Sequence, residues 1–574
     1  MKNRYNERIR DLLRRESIFI FLIIFSVSIA TYKMFEFPFN LYKNLIFDTD
    51  GIFTQVQIQS LIEGAIFKRT NNLGFPFGFS QWTVPQFSII ESILLWVTAK
   101  IFLFTNFGFL VFIGVFITIM NSFSFYLLGK YYDLNLFVKI LFIFIGAFSP
   151  FALNSITHPH VMKIFIIPIY LIILKKLVER KSFTKIEYFI ISFFLLSSSL
   201  YWINIFFAIF SILIFVLFLN KFFERSNSNF IISVKLFSIN FILLFIHLVL
   251  FYLNRDISGD NGRGKWQSDI FSGKFTDFLL SSPFLNHFIG RTQNLYEGAS
   301  TEIKSNMVGI PLTIGFFYLI YLLISYHVPK SLEITLLKQI SIISILFFLV
   351  GGFSNLQSAI FVMFDYASPM RTWSRISILI ATLGILLLFI WLKDFKKYEL
   401  PIALSLIFLT FLDFLYLPRM QNQAQDWKSH EYYPVVTFIG QNLKPCPILQ
   451  LPIDTYLVPQ GALDKAYRYY WTDQIPYIVL PKHNWTAATY TGTAGWKELV
   501  EIPSMLSDSD LRELSVKFCA ILFDKNFSQY QIDRKASLPN VDGGWPGVRI
   551  TTQVKPKFED SRFRVYFLNE FKKH

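Results

Sequence analysis

Between Ser17 and Leu417 the chain repeats one pattern, an apolar run long enough to cross a bilayer followed by a short charged break, and this excludes soluble folds. A hydrocarbon core takes roughly 17–25 helical residues per crossing. Runs of that order fall from Ser17 to about Phe35 and near 107–129, 134–151, 161–177, 186–200, 201–220, 230–252, 308–327, 337–353, 374–392 and 400–417. The expected fold class is therefore a polytopic α-helical membrane protein with about 11 spans. Composition agrees: the 574 residues are 53% hydrophobic and 16% charged, whereas a soluble domain is roughly 25% charged.

Charge sets the expected orientation. Lys2, Arg4, Arg8, Arg10, Arg14 and Arg15 precede the first run, and Phe35-Glu36-Phe37-Pro38 offers no small-residue cleavage site, so the first helix reads as uncleaved with a cytoplasmic N-terminus. The loops then assigned to the cytoplasm hold Lys130; Lys175, Lys176, Arg180, Lys181 and Lys185; Lys221 and Arg225; Lys330 and Lys338; and Lys393, Lys396 and Lys397. This satisfies the positive-inside rule and puts the C-terminus outside. The net charge of +15 is thereby largely accounted for by topology, and no nucleic-acid partner is expected. The stretch from about Phe87 to Phe104 stays out of the count, because as a twelfth span it would move the Lys175 to Lys185 cluster outside. Broken by Glu91 and Lys100 and carrying Trp96, it reads as an interfacial helix.

Two outward loops, 36–106 and 254–307, exceed simple connections. They belong to an expected transmembrane domain, 1–418. After Pro418 the pattern turns soluble, and 419–574 reads as an extracytoplasmic α/β domain. Its strands are expected around Cys446 to Pro452, Phe518 to Phe523, Val548 to Val554 and Phe563 to Leu568, with Ser507 to Asp510 capping a helix from Leu511 to Lys517. With two cysteines, Cys446 and Cys519, there is no disulfide framework, and two buried thiols are preferred over one bridge.

Asp48-Thr49-Asp50 stands just past the first span. Paired acids beside a bilayer are costly unless they bind a cation, take a proton or pair with a base. The alternative is that one of them caps a helix beginning near Gly51. His247 and Asp413 lie within apolar runs, and Asp413, near the outer end of its run, is expected to reach water. No phosphate-binding Gly-rich loop, GxSxG, CxxC pair or HExxH occurs.

This arrangement, an acidic pair opening a long outer loop, interfacial helices, many spans and an outer C-terminal domain, resembles the GT-C superfamily of polyprenyl-phosphate-dependent glycosyltransferases. Leu73-Gly74-Phe75-Pro76-Phe77-Gly78 is similar to a loop of GT-C-like bacterial proteins, and Tyr467-Arg468-Tyr469-Tyr470-Trp471 with Gly495-Trp496 is similar to their outer domain. The resemblance implies transfer of a sugar from a polyprenyl-phosphate donor to a glycan acceptor, such as O-antigen or teichoic acid, in a bacterial cytoplasmic (inner) membrane. It implies Asp48 or Asp50 as general base; a divalent metal ion is a candidate cofactor, with Asp50 a candidate ligand. A leaving lipid phosphate needs cations, for which Arg371 and Arg375 flanking Trp373, and His158, His160 and Lys163, are the candidates; interfacial or structural roles are the alternative for each. Tyr201 and Trp202 are candidates for stacking on sugar or prenyl chain, or else interface anchors. The competing class is a flippase or transporter of lipid-linked saccharides, which would place charges at the membrane midplane rather than acids in an outer loop.

Overall fold

The computed structural model describes residues 20, 21, 23–28, 42, 45–47, 50–70, 72, 73, 87–155, 158–223, 228–254, 282–288, 308–325, 331–348, 373–417, 424–451, 474–486, 502, 505–526, 528, 529 and 548–573. The first elements are strand β1 (Leu45–Phe47), helix α1 (Asp50–Ile62) and helix α2 (Ile89–Ile101). The helical body follows: α3 (Asn106–Tyr131), α4 (Leu136–Phe148), α5 (Pro150–Asn154), α6 (Pro159–Met162), α7 (Ile166–Val178), α8 (Lys185–Leu196), α9 (Leu200–Phe223) and α10 (Ser228–Asn254). It continues with α11 (Pro283–Phe288), α12 (Ile310–Ile324), α13 (Leu332–Phe348), α14 (Ser377–Leu392) and α15 (Lys396–Leu415). Five helical stretches among the described residues are long and apolar enough to cross a membrane: Asn106–Tyr131, Leu136–Leu153, Leu200–Leu219, Phe230–His247 and Ser377–Leu415. The protein is a multi-pass helical membrane protein.

Local chemistry explains where these helices start. The side chains of Thr105 and Asn135 accept from Gly108 N at 3.1 Å and Val138 N at 2.9 Å, satisfying donors that the first turn leaves open. Ser88 with Glu91, and Thr184 with Glu187, form reciprocal capping boxes for α2 and α8. Two expected spans come out short. The helix of 161–177 begins only at Ile166, because Lys163 to Phe165 break from helical geometry, and the helix of 186–200 stops at Leu196 before a run of three serines.

Close helix crossings hold the body together. A Cβ on Gly384 would lie 2.0 Å from the carbonyl oxygen of Gly315, so α12 and α14 meet backbone to backbone, as small residues allow in membranes. Ile20 and Ile24 pack onto Tyr126 of α3 and Ile143 of α4. Asp413 does not reach water as expected. It is fully buried, and its carboxylate accepts from Ile310 N, Ser282 Oγ and, at 3.4 Å, Phe284 N, closing the N-terminus of α12 and fastening α11 to α15. An acid near the end of its own helix met the open N–H groups of a neighbour, which no periodicity reveals.

The C-terminal part contains β2 (Ala424–Asp426), α16 (Tyr433–Asn442), β3 (Pro447–Leu451), α17 (Ile475–Val479), β4 (Asn484–Trp485), β5 (Met505–Leu506), α18 (Asp508–Leu514), β6 (Ala520–Asp524), β7 (Arg549–Ile550), β8 (Phe558–Glu559) and β9 (Phe563–Phe567). Five strands form a mixed sheet in the order β4-β3-β6-β9-β8, parallel from β4 to β6 and antiparallel beyond. Period-2 alternation sends Ile448, Ala520, Leu522 and Val565 to one face and Leu449, Leu451, Ile521, Phe523 and Tyr566 to the other, and both faces are covered. The expected strand at Val548 to Val554 is reduced to β7, which pairs with β5 outside the main sheet.

The division at residue 418 does not divide the cores. Ile46, Ile52, Phe53, Val56 and Leu73 of the first loop are buried in one cluster with Trp427, Val435, Ile448 and Trp485. The loop is also sewn on by backbone: β1 pairs antiparallel with β2, Leu45 opposite Asp426, and Trp485 N donates to Asn72 O at 2.9 Å.

Cys446 and Cys519 form a disulfide, with Cα atoms 6.2 Å apart, rather than two buried thiols. Each precedes one of two adjacent parallel strands, β3 and β6, so pairing the strands brings the sulfurs together across 73 residues of sequence. Denatured protein is therefore expected to take up maleimide at neither cysteine until a reductant is added. The Cys446→Ser, Cys519→Ser variant should lose about 2–4 kcal/mol of sheet-domain stability by denaturant titration.

Candidate functional site

Helix α1 opens at the second acid of the pair. Asp48 lies outside the described residues, between β1 and α1; Asp50 is the first residue of α1, and its side chain lies outside them too. From Gly51 to Leu61 every residue is buried. Gln55 Nε2 donates to Leu45 O at 2.8 Å, tying the helix back to β1. At the other end Glu63 accepts from Gln59 Nε2 at 3.0 Å, Thr70 Oγ1 at 2.9 Å, Asn72 Nδ2 at 3.3 Å and Tyr477 OH at 3.0 Å. Burial pushes the Glu63 carboxyl above its ordinary value, and the four hydrogen bonds oppose this. Sequence reasoning missed Glu63 and Tyr477; 414 residues separate them, and neither sits in a motif.

The second half of the candidate site is the break between α6 and α7. Pro159 opens α6, and after Met162 the backbone leaves the helix. Three successive carbonyls, of His160, Val161 and Met162, accept from Ser199 Oγ at 2.6 Å, Trp202 Nε1 at 3.1 Å and Asn121 Nδ2 at 3.0 Å. Asn121 Oδ1 then accepts from Phe165 N at 2.9 Å, so one side chain bridges the break. Irregular backbone among membrane helices persists only with such partners.

The loop so held presents a row of side chains. The rings of His158 and His160 lie 5.8 Å apart, those of His160 and Tyr201 5.8 Å, and the Arg375 guanidinium stands 5.9 Å from the Tyr201 ring centroid. These residues come from three segments: the α5–α7 loop, the start of α9 and the 3-10 turn Trp373–Ile376 before α14. Of the sequence candidates, His158, His160, Tyr201 and Arg375 are thus brought together.

Others go elsewhere. Lys163, expected beside a phosphate, is fully buried in an ion pair with Glu91 of α2. Trp202, expected as an outward aromatic, is fully buried, because neighbours on a helix point about 100° apart and Tyr201 takes the open side. Arg371 lies outside the described residues. Among those residues no three His, Cys, Asp or Glu converge on a metal-binding geometry.

The two ends of α3 differ in chemistry. Its first residue, Asn106, donates from Nδ2 to Ile478 O of the sheet domain at 3.3 Å. At its last turn Lys175 stands 4.4 Å over the Tyr132 ring, Lys176 5.2 Å over Tyr131, and Lys393 Nζ donates to Tyr132 O. With 26 residues, α3 separates the two ends by about 39 Å.

Fold and site together define a multi-pass membrane protein whose mixed-sheet domain is built onto its first long loop. Among solved structures it is similar to the apo oligosaccharyltransferase of Archaeoglobus fulgidus, with 12% identity over 90% of this chain and 70% of that one and a TM-score of 0.44. It is also similar to ArnT from Cupriavidus metallidurans bound to undecaprenyl phosphate, with 10% identity over 96% of this chain and 97% of that one and a TM-score of 0.35. Identity at this level assigns no role to any residue here. No protein-family model matches the chain, and no curated protein matches it in sequence.

Because folding raises the Glu63 pKa above 4.5, the protonated form is favoured in the fold. Its stabilising contribution is full below the ordinary value and is lost as pH rises through the raised one. The dependence of the thermal midpoint on pH from about 4.5 upward is expected to flatten in Glu63→Gln. Tyr477→Phe, which removes one donor, should cost about 1–2 kcal/mol. An unchanged pH profile in Glu63→Gln would show that this carboxylate is not linked to folding.

Proposed function

We propose that this chain is a GT-C-type glycosyltransferase, moving a sugar from a polyprenyl-phosphate-linked donor to a surface glycan such as O-antigen or teichoic acid at the outer face of a bacterial cytoplasmic membrane. The observation that carries this reading is the row of His158, His160, Tyr201 and Arg375, drawn from three distant segments, in which the α6 helix of His160 packs on α3, the helix that also packs on the acid-bearing α1. Cationic and aromatic groups there suit a lipid phosphate at headgroup depth. Asp50 at the start of a buried neighbouring helix, with Asp48 two residues before it in sequence, suits deprotonation of an acceptor.

Asp48 or Asp50 takes the proton from the acceptor hydroxyl as its oxygen bonds to the anomeric carbon, and the bond to the prenyl phosphate breaks with its electrons going to the phosphate. Arg375, with Arg371, stabilises the charge that develops there, and the Arg fork suits two phosphate oxygens. A divalent ion held by the acid pair, with Asp50 as ligand, is the metal-dependent form of the same site, and activity surviving chelation excludes it.

Two observations support the orientation. A disulfide in the sheet domain fits an oxidising compartment, and the lysine cluster at the far end of α3 fits the cytoplasmic side. A cysteine at Val516, which is 81% exposed, should react with a membrane-impermeant thiol reagent in intact cells once any outer membrane is permeabilised. One at Ser182 should not. The reverse pattern would put the acids in the cytoplasm and sink the lipid-linked donor.

With purified polyprenyl-phosphate sugar, at least one of Asp48→Asn and Asp50→Asn should abolish transfer at normal protein levels; full activity in both would remove the base from this site. Arg375→Ala should lose on the order of 30- to 1,000-fold in rate, from about 2–4 kcal/mol of lost transition-state stabilisation. Arg375→Lys should recover part of it. Deleting the protein should shift the mass of the cell's surface glycan.

A further inference from the structure

We propose that Glu91 and Lys163 are positioning residues whose buried ion pair sets the spacing between the two halves of the candidate site. The enzymatic part of this inference rests on the function proposed above. Both side chains are completely buried. Taking two charges out of water is costly, and a buried pair is often replaceable by apolar residues with no loss of stability, so the pair is weak as a stabilising device. What it does hold is geometry.

Lys163 follows His160 by three residues and sits where α6 has ended and α7 has not begun, with φ −76° and ψ 58°. Ser199, Trp202 and Asn121 fix the backbone of this segment to α9 and α3. The Lys163 side chain ties the segment to α2. Glu91 is itself held, since the oxygen that meets Lys163 also accepts from Ser88 N at 2.9 Å in the capping box. The latch therefore grips the rigid first turn of α2.

Helix α2 packs on α1, the helix that opens at Asp50, and on α3. The chain of contacts runs from the acid-bearing helix through α2, Glu91 and Lys163 to the loop of His158 and His160. The outer side of α2 is apolar, with Ile93, Trp96, Val97 and Ile101 exposed, while its polar face, Glu91, Ser92 and Thr98, is turned inward. Slack in the pair would let base and phosphate clamp drift apart, and a displacement near 1 Å can cost about 100-fold in rate.

The test is the neutral pair Glu91→Gln, Lys163→Met, in which the introduced amide keeps an acceptor for Ser88 N. It should fold with a thermal midpoint at or above that of the parent protein. In the full-length protein kcat should fall about 10- to 100-fold while KM for the polyprenyl-phosphate sugar changes less than about threefold, and Lys163→Arg alone should retain most of the parental kcat. Wild-type kcat in the neutral pair would overturn the proposal. So would a donor KM raised tenfold or more at unchanged kcat, which would make Lys163 a direct phosphate ligand.

A second readout does not depend on the reaction. Spin labels at Val97→Cys on α2 and His158→Cys on the loop should give a narrow distance distribution with the pair intact and a broader one in the neutral pair. An unchanged distribution would refute the positioning role even if sugar transfer is confirmed. A broadened one in a protein that transfers no sugar would retire the function and leave the latch.

Discussion

Helix α1 is buried from Gly51 to Leu61, and the join between the membrane helices and the sheet domain is built around it. Its sequence is poor in the pattern of an ordinary amphipathic helix, since Thr54, Gln55, Gln57, Gln59 and Ser60 go inside with Ile52, Val56, Ile58 and Leu61. Such a helix is stable only where its polar groups find partners, and here Gln55 reaches back to β1 while Gln59 joins the Glu63 cluster. Ile52, Phe53 and Val56 enter the sheet-domain core, and Ile58 and Leu61 enter the membrane core. One helix thereby belongs to both cores, and the acid at its start inherits the rigidity of both.

A second constraint is the interrupted helix at Lys163 to Phe165. Without water to receive them, free carbonyls among membrane helices each cost several kcal/mol. Ser199, Trp202 and Asn121 remove that cost at three consecutive positions. Breaking a helix there and supporting the break holds the two histidines beside Tyr201 and Arg375. Preorganisation of this kind is what a charge-stabilising site requires, because donors that are already oriented lose no free energy reorganising as charge develops.

The two ends of α3 divide the molecule chemically. Its first residue, Asn106, meets the sheet domain, Asn121 past its middle holds the histidine segment, and its last turn meets tyrosines covered by lysines.

By itself the sequence determined the apolar helices, the cap at Ser507, and a short set of residues able to carry chemistry. Those features are local: hydrophobic period, cap chemistry and charge position act over a few residues. Tertiary structure decided which candidates meet. It put Lys163 on Glu91, buried Trp202 and Asp413, joined Cys446 to Cys519, and completed the sheet-domain core with Ile52 and Phe53 from the far side of the nominal boundary. It also joined Glu63 to Tyr477 across 414 residues. Each of these depends on how helices cross and strands pair, and a side chain's neighbour across such a contact leaves no periodic trace along the chain. Composition could say that a buried charge needs a partner, but only packing could choose it.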